Sequence, residues 1–222
     1  MKTMKYRSAF EIIGPIMIGP SSSHTAGAVR IGRVARALFE SQPKRAVLSL
    51  YGSFAKTYKG HGTDLALVAG LLDFDTFDER IPEALEIAEQ SGMEVIFQEE
   101  EAVTEHPNTV KINLFAEDKE LEIIGISIGG GAIEITEINS FQLKLSGDPA
   151  ILVMHNDRFG VISSVTTVFS QNKINIGHME VARKDKGDMA IMVIESDEKI
   201  DNQLVSELQK LDNVLSVIRM VE

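Results

Sequence analysis

The chemistry open to this sequence belongs to hydroxyls, imidazoles and a few lysines, because it contains no cysteine and only five histidines. The densest cluster is Gly19-Pro20-Ser21-Ser22-Ser23-His24-Thr25-Ala26-Gly27-Ala28. Behind it Ile31, Val34 and Leu38 recur at helical spacing, which predicts a helix from about Ser23 to Phe39. A helix start offers unpaired N–H groups and a partial positive charge, and serine hydroxyls add donors. That combination cradles a carboxylate or phosphate; it also suits an ordinary serine N-cap beside a surface histidine. Gly27, Ala28 and Gly32 would let this helix approach a neighbour closely.

A second cluster runs from Tyr51-Gly52-Ser53 through Lys56 and Lys59 to Gly60-His61-Gly62-Thr63-Asp64, where a strand ends and a helix begins. His61 stands between glycines, and an imidazole suits proton transfer near neutral pH. Lys56 and Lys59 are able to neutralise a carboxylate; a solvated basic loop with a cap at Thr63 fits the same residues. Thr104-Glu105-His106-Pro107-Asn108 reads as a turn between strands. Ser127-Ile128-Gly129-Gly130-Gly131 reads as a backbone nest for an anion or as a hairpin bend, and it has neither the spacing nor the lysine of a nucleotide loop. Farther on, the loop His155–Gly160 and the run Asn175-Ile176-Gly177-His178 read as an amino-acid carboxylate site, or as a plain turn and a strand bulge.

These clusters need a scaffold. Strands are predicted at Lys44–Tyr51, Met93–Gln98, Thr109–Ala116, Leu121–Ile128, Ile133–Ile138 and Phe141–Leu145, with helices at Thr63–Leu72 and Glu79–Gln90. The turn-forming Ser146-Gly147-Asp148-Pro149 separates two domains, 1–148 and 149–222. The second reads strand, helix, strand, strand, helix, strand. Val161, Ile162, Val165, Val168 and Phe169 share a helix face, Gly177 marks a bulge or a close approach, and Lys184–Asp188 is a hairpin turn. Its order is the ferredoxin-like βαββαβ unit. The first domain mixes early helices with late antiparallel strands, so the fold class is α+β.

Composition narrows the partners. The net charge is −11 over 222 residues, which disfavours nucleic acid and anionic membranes. No run reaches the roughly 20 apolar residues of a membrane helix. The charged start Met1–Arg7 does not read as a signal peptide, so the expected location is cytoplasmic. Without thiolates the chain has no means of holding an iron–sulfur cluster by itself, and the histidines are not spaced as metal ligands.

Residues 150–222 resemble an ACT domain, in element order and in Asn175-Ile176-Gly177. Residues 5–146 resemble the β chain of two-chain bacterial L-serine dehydratase and the related extra domain of some phosphoglycerate dehydrogenases. The resemblance rests on Ile18-Gly19-Pro20-Ser21-Ser22-Ser23-His24-Thr25, Tyr51-Gly52-Ser53, Gly60-His61-Gly62-Thr63-Asp64, His106-Pro107-Asn108 and Ser127-Ile128-Gly129-Gly130-Gly131. It implies an α chain partner whose cysteines, not this chain, hold a [4Fe–4S] cluster that acts as a Lewis acid on the serine hydroxyl. It implies L-serine as substrate and as a possible effector, and a dimer or higher oligomer. By motif match, His61, His24 and Thr63 become the expected catalytic groups. Ser21, Ser22, Ser23, Thr25, Lys56, Asp64, Gly129 and Gly130 are expected around the substrate, with Thr63 and Asp64 orienting His61. Asn156, Asn175 and Gly177 are expected at an effector. The competing expectation is a non-catalytic amino-acid sensor. A dehydrogenase is not expected, because no G-x-G-x-x-G nucleotide fold is present.

Overall fold

A computed structural model describes residues 15–147 and 149–220. The Met1–Arg7 stretch and Asp148 of the turn cluster lie outside the described residues. Contacts divide the chain into two compact units, with the division between Thr136 and Glu137.

The first sheet comprises β1 (Arg45–Tyr51), β2 (Glu94–Glu100), β3 (Asn108–Ala116), β4 (Lys119–Gly129), β5 (Ala132–Ile138) and β6 (Phe141–Leu145), in the order β2-β1-β3-β4-β5-β6. β1 pairs with β2 in parallel and with β3 antiparallel, and β3 pairs antiparallel with β4. The alternation predicts this layering. Ala46, Leu48 and Leu50 of β1, Val110, Ile112 and Leu114 of β3, and Leu121 and Ile123 of β4 are buried. The opposite phase carries polar pairs such as Lys111–Glu122 at 3.1 Å, as expected of an antiparallel sheet covered on one face.

Four α-helices belong to this unit: α1 (Gly27–Phe39), α2 (Gly52–His61), α3 (Thr63–Leu71) and α4 (Ala84–Gln90). α1 buries Ile31, Val34 and Leu38 as its spacing predicts. Gly125 of β4 makes room for it, since a Cβ there would lie 2.8 Å from Ile31 Cγ2. α1 and α3 approach backbone to backbone. A Cβ on Gly32 would sit 2.4 Å from the Leu67 carbonyl oxygen, and one on Gly70 would sit 2.2 Å from that of Val29.

Three local features differ from expectation. The start of the first helix is a π-helical turn, Ser22–Ala26, ahead of α1. The 79–90 segment begins as a short 3₁₀ turn at Ile81–Glu83, around Pro82. Residues 52–61, read above as a connection, form helix α2. Its first N–H groups are satisfied from a distance: Ser53 and Phe54 N–H both reach the Pro107 carbonyl, at 2.7 and 3.4 Å. Phe54 is fully buried and pins the helix inward. Neither support is local in sequence, which is why periodicity does not reveal the helix.

The second unit contains, after β6, the elements β7 (Ala150–Asn156), α5 (Val161–Gln171), β8 (Ile176–Arg183), β9 (Met189–Ser196), α6 (Asn202–Gln209) and β10 (Val214–Met220). The sheet order is β10-β7-β9-β8, antiparallel throughout. The βαββαβ reading holds, and the register shift between Ile176 and His178 puts the bulge at Gly177. Val161, Val165, Val168 and Phe169 are buried against the sheet, whereas Ile162, in the first turn of α5, is 43% exposed. Asp201 caps α6 by accepting the Leu204 N–H at 2.9 Å. Among the described residues no helix is long and apolar enough to cross a membrane.

The α1–α3 approach is testable. Gly70→Ala drives a methyl into a backbone carbonyl and should lower stability by about 1–3 kcal/mol, the range for overpacking a tight interior contact. Gly60→Ala, which meets nothing within 4 Å, should be neutral or stabilise by up to about 1 kcal/mol from helix propensity. Urea unfolding of both variants measures the contrast. Equal stability for the two would remove the glycine contact as a determinant.

Candidate active site

The strand register brings the first four sequence clusters to one end of the first sheet. Tyr51 closes β1 opposite Thr109, and Thr109 pairs with Ile126 of β4. The Tyr51–Ser53, His106–Asn108 and Ser127–Gly131 segments therefore share that end. The π-helical turn and the α2–α3 junction pack onto the same place through side-chain hydrogen bonds.

His24 lies at the centre. Its Nε2 is 2.9 Å from Ser53 Oγ and its Nδ1 is 3.4 Å from Ser21 Oγ. Ser21 Oγ also accepts the His24 backbone N–H at 3.2 Å, as the N-cap of the π turn. The His24 and His61 rings meet edge to face, with centroids 4.8 Å apart, and Phe54 packs on His24 at 5.4 Å. Burial, and after it the proximity of His61, lowers the His24 pKa from its ordinary 6.5. His24 is thus held as a neutral imidazole near neutral pH.

The other expected residues divide by what engages them. Thr25 is buried, and its hydroxyl donates to the His61 carbonyl at 3.2 Å, so it ties the π turn to the end of α2. Ser21 and Thr25 therefore order the loop rather than offer free donors to a substrate carboxylate. Ser22 and Ser23 are half-buried on the same turn. Asp64 turns its carboxylate to the Leu65 N–H at 2.9 Å. Thr63 Oγ1 and His61 Nδ1 are buried with no hydrogen-bond partner among the described residues, so neither Thr63 nor Asp64 orients His61 through that nitrogen. Gly129-Gly130-Gly131 forms the turn into β5. All three have positive φ, and the Gly131 carbonyl accepts from Arg30 Nη1 at 2.9 Å. Lys56 is exposed and lines a cleft of about 630 Å³ with Gly52, Glu99, Glu100, Thr104 and Pro107. His24 and His61 do not line that cleft.

Two residues of the cluster carry no role in the sequence reading. Ser53 contacts His24 directly. Ser127 is fully buried with its hydroxyl unpartnered among the described residues, against the Cα of Gly27, where a Cβ would lie 2.2 Å from Ser127 Oγ. A signal for Ser127 exists in the sequence: it falls in phase with Leu121, Ile123 and Gly125 on the buried face of β4. His106-Pro107-Asn108 is more than a turn. Pro107 caps α2, and Asn108 Nδ2 donates to the Ser127 carbonyl at 3.3 Å.

The expected effector residues do not come together within the second unit. Asn156 ends β7 opposite Met189, while Ile176, beside Asn175, pairs with Ser196 at the far end of β9. Asn175 Nδ2 donates to Asp197 at 2.6 Å, at a cleft of about 1010 Å³ lined by Gly177, Asp197 and Arg219. At the other end Asp157, next to Asn156, is held below the usual carboxylate range, first by the Gly187 N–H and then by the Arg183 guanidinium.

An iron–sulfur cluster does not fit the residues present. The chain has no thiolate, and among the described residues no three His, Cys, Asp or Glu side chains are grouped to hold a metal.

Comparison with known proteins follows the two units. Residues 8–137 match the family model for the serine dehydratase beta chain, and residues 150–213 match that for the ACT domain. The chain is 61% identical over 220 residues to a probable L-serine dehydratase, beta chain, of Bacillus subtilis (strain 168), covering 99% of this chain and 100% of that one. It is 39% identical over 204 residues to the L-serine dehydratase, beta chain, of Peptoniphilus asaccharolyticus, covering 90% and 92%. A D-3-phosphoglycerate dehydrogenase of Bacillus subtilis is 26% identical over 132 residues, 59% of this chain and 25% of that one.

The lowered pKa of His24 sets a direction for stability. The folded chain binds a proton at His24 less readily than the unfolded chain, so this contribution is complete above about pH 6.5 and declines as pH falls below it. Thermal unfolding between pH 7.5 and 5.5 should show a smaller acid-induced drop in Tm for His24→Gln than for the unchanged chain. Parallel curves would contradict the burial of a neutral His24.

Proposed function

The chain belongs to the serine dehydratase beta chain family, and from that premise we propose how its first unit takes part in the reaction. It is a beta subunit of L-serine dehydratase, a lyase subunit. The finer reading is L-serine ammonia-lyase, EC 4.3.1.17, completed on an α chain that carries a [4Fe–4S] cluster through its own cysteines. The name borne by the relatives, beta chain, supports a partner chain, and the absence of cysteine here is consistent with cluster ligation elsewhere.

The reaction removes the α-proton and the β-hydroxyl of L-serine, leaving aminoacrylate and water. The enamine tautomerises to an imine, which hydrolyses to pyruvate and ammonia. The bound cluster would supply electrophilic chemistry. This chain would supply hydroxyls for the substrate carboxylate, from Ser22 and Ser23, and proton transfer at His61. A neutral His24 beside His61 avoids repulsion when His61 carries a proton. One observation carries this reading: four loops far apart in sequence converge on the His24–His61 pair. Three polar atoms there, on His61, Thr63 and Ser127, are buried without partners among the described residues. Each such atom costs about 1–3 kcal/mol when unpaired. The second unit is read as an amino-acid sensor, with L-serine as a candidate effector.

Anaerobic reconstitution tests the reading. This chain alone should make no pyruvate from L-serine. With the α chain it should, and His61→Ala should lower kcat by about 10²–10⁴-fold, the usual contribution of a positioned acid–base group. Full turnover by the His61→Ala complex, combined with serine binding lost on changing Asn175, would leave the chain a regulatory subunit instead.

A further inference from the structure

We propose that Ser53 is the positioning residue of His24, holding the ring edge-on to His61 with the imidazole proton on Nε2. The hydrogen bonds around His24 point to that tautomer. Ser21 Oγ already accepts the His24 backbone N–H at 3.2 Å. A hydroxyl that accepts still has its own proton to give, and Nδ1 lies at 3.4 Å. With Nδ1 as acceptor, Nε2 carries the proton and donates it to Ser53 Oγ at 2.9 Å. Donors and acceptors then match at both ring nitrogens.

Ser53 is suited to the task because its backbone is fixed on both sides. Its N–H donates to the Pro107 carbonyl at 2.7 Å, and its carbonyl accepts the Thr57 hydroxyl at 2.8 Å. The residue before it, Gly52, has φ +55, and a Cβ there would lie 2.6 Å from the Pro107 oxygen. The His106-Pro107-Asn108 turn therefore sets the position of Ser53, and Ser53 sets His24. With Nε2–H donated, the hydroxyl proton of Ser53 remains free to turn toward a ligand. Burial of His24 between Phe54 and His61 keeps the ring neutral, as the tautomer requires.

The effect of this role on turnover rests on the dehydratase reading above; the tautomer does not, and the two are measured separately. On this chain alone, long-range ¹H–¹⁵N spectra report which imidazole nitrogen carries the proton, with the His24 signals identified by their loss in His24→Gln. The expected pattern is a protonated Nε2 and a bare Nδ1 for His24. In Ser53→Ala the two nitrogens should move toward the averaged shifts of a tautomer mixture, and Ser53→Thr, which keeps the hydroxyl, should restore the pattern. In the complex with the α chain, Ser53→Ala should lower kcat by about 10–100-fold, as for a misplaced catalytic group, with KM changed less than about threefold and Ser53→Thr recovering most of the rate. A protonated Nδ1 in the unchanged chain overturns the assignment, even if Ser53→Ala fails to fold. So does a Ser53→Ala chain with unaltered His24 signals and unaltered kcat. If the unchanged complex makes no pyruvate, the dehydratase reading fails, while the spectra still decide the role of Ser53.

Discussion

Where α1 crosses α3, no side chain stands between the backbones. Gly32 meets the Leu67 carbonyl and Gly70 meets that of Val29. Such proximity brings the turn that precedes α1 and the junction that precedes α3 within hydrogen-bond range of each other. Thr25 can then reach the His61 carbonyl, and the two imidazoles can touch. A spacing wider by one methyl group would separate them, because packed interiors do not yield freely.

The site that results is mounted on rigid parts. β1, β3 and β4 end together, so the Pro107 carbonyl is placed to start α2, and Asn108 is placed to hold the Ser127 carbonyl. Three hydroxyls nearby serve this scaffold: Ser21 on His24, Thr25 on His61, Ser53 on His24. What is left over is equally specific. Thr63, Ser127 and one nitrogen of His61 are buried without a hydrogen-bond partner among the described residues. Two of these three residues, Thr63 and Ser127, are fully buried, and beyond the three the described residues leave only His155 Nε2 of the second unit buried without a partner.

The second unit obeys simpler rules. β7 and β9 are buried along nearly their whole length, with Ile151, Val153, Met192 and Ile194 in one core cluster with α5 and α6, whose buried residues keep helical spacing, and the polar engagements fall at its ends. Asn175 is engaged with Asp197 at one end, and Asp157 is engaged with Arg183 and Gly187 at the other. The two ends are separate surfaces of one small sheet, so a ligand gripping both Asn156 and Asn175 of the same unit is incompatible with the strand register.

Local pattern was enough to reveal the α+β class, the βαββαβ order, the bulge at Gly177 and the strands of the first unit. Each depends on the period of neighbouring side chains or on a residue's own backbone range. Local pattern also marked the serine–histidine turn, the Gly60–Asp64 run, the His-Pro-Asn turn and the glycine run as chemically unusual. It did not reveal that Gly52–His61 is a helix, because its cap comes from Pro107 and its anchor is the burial of Phe54. Nor did it separate Ser21 and Thr25, which order the turn, from Ser53, which touches the histidine. Hydroxyls look alike in a sequence, and their work is decided by what lies within about 3 Å of them, a distance set by strand register and helix crossing between residues far apart along the chain.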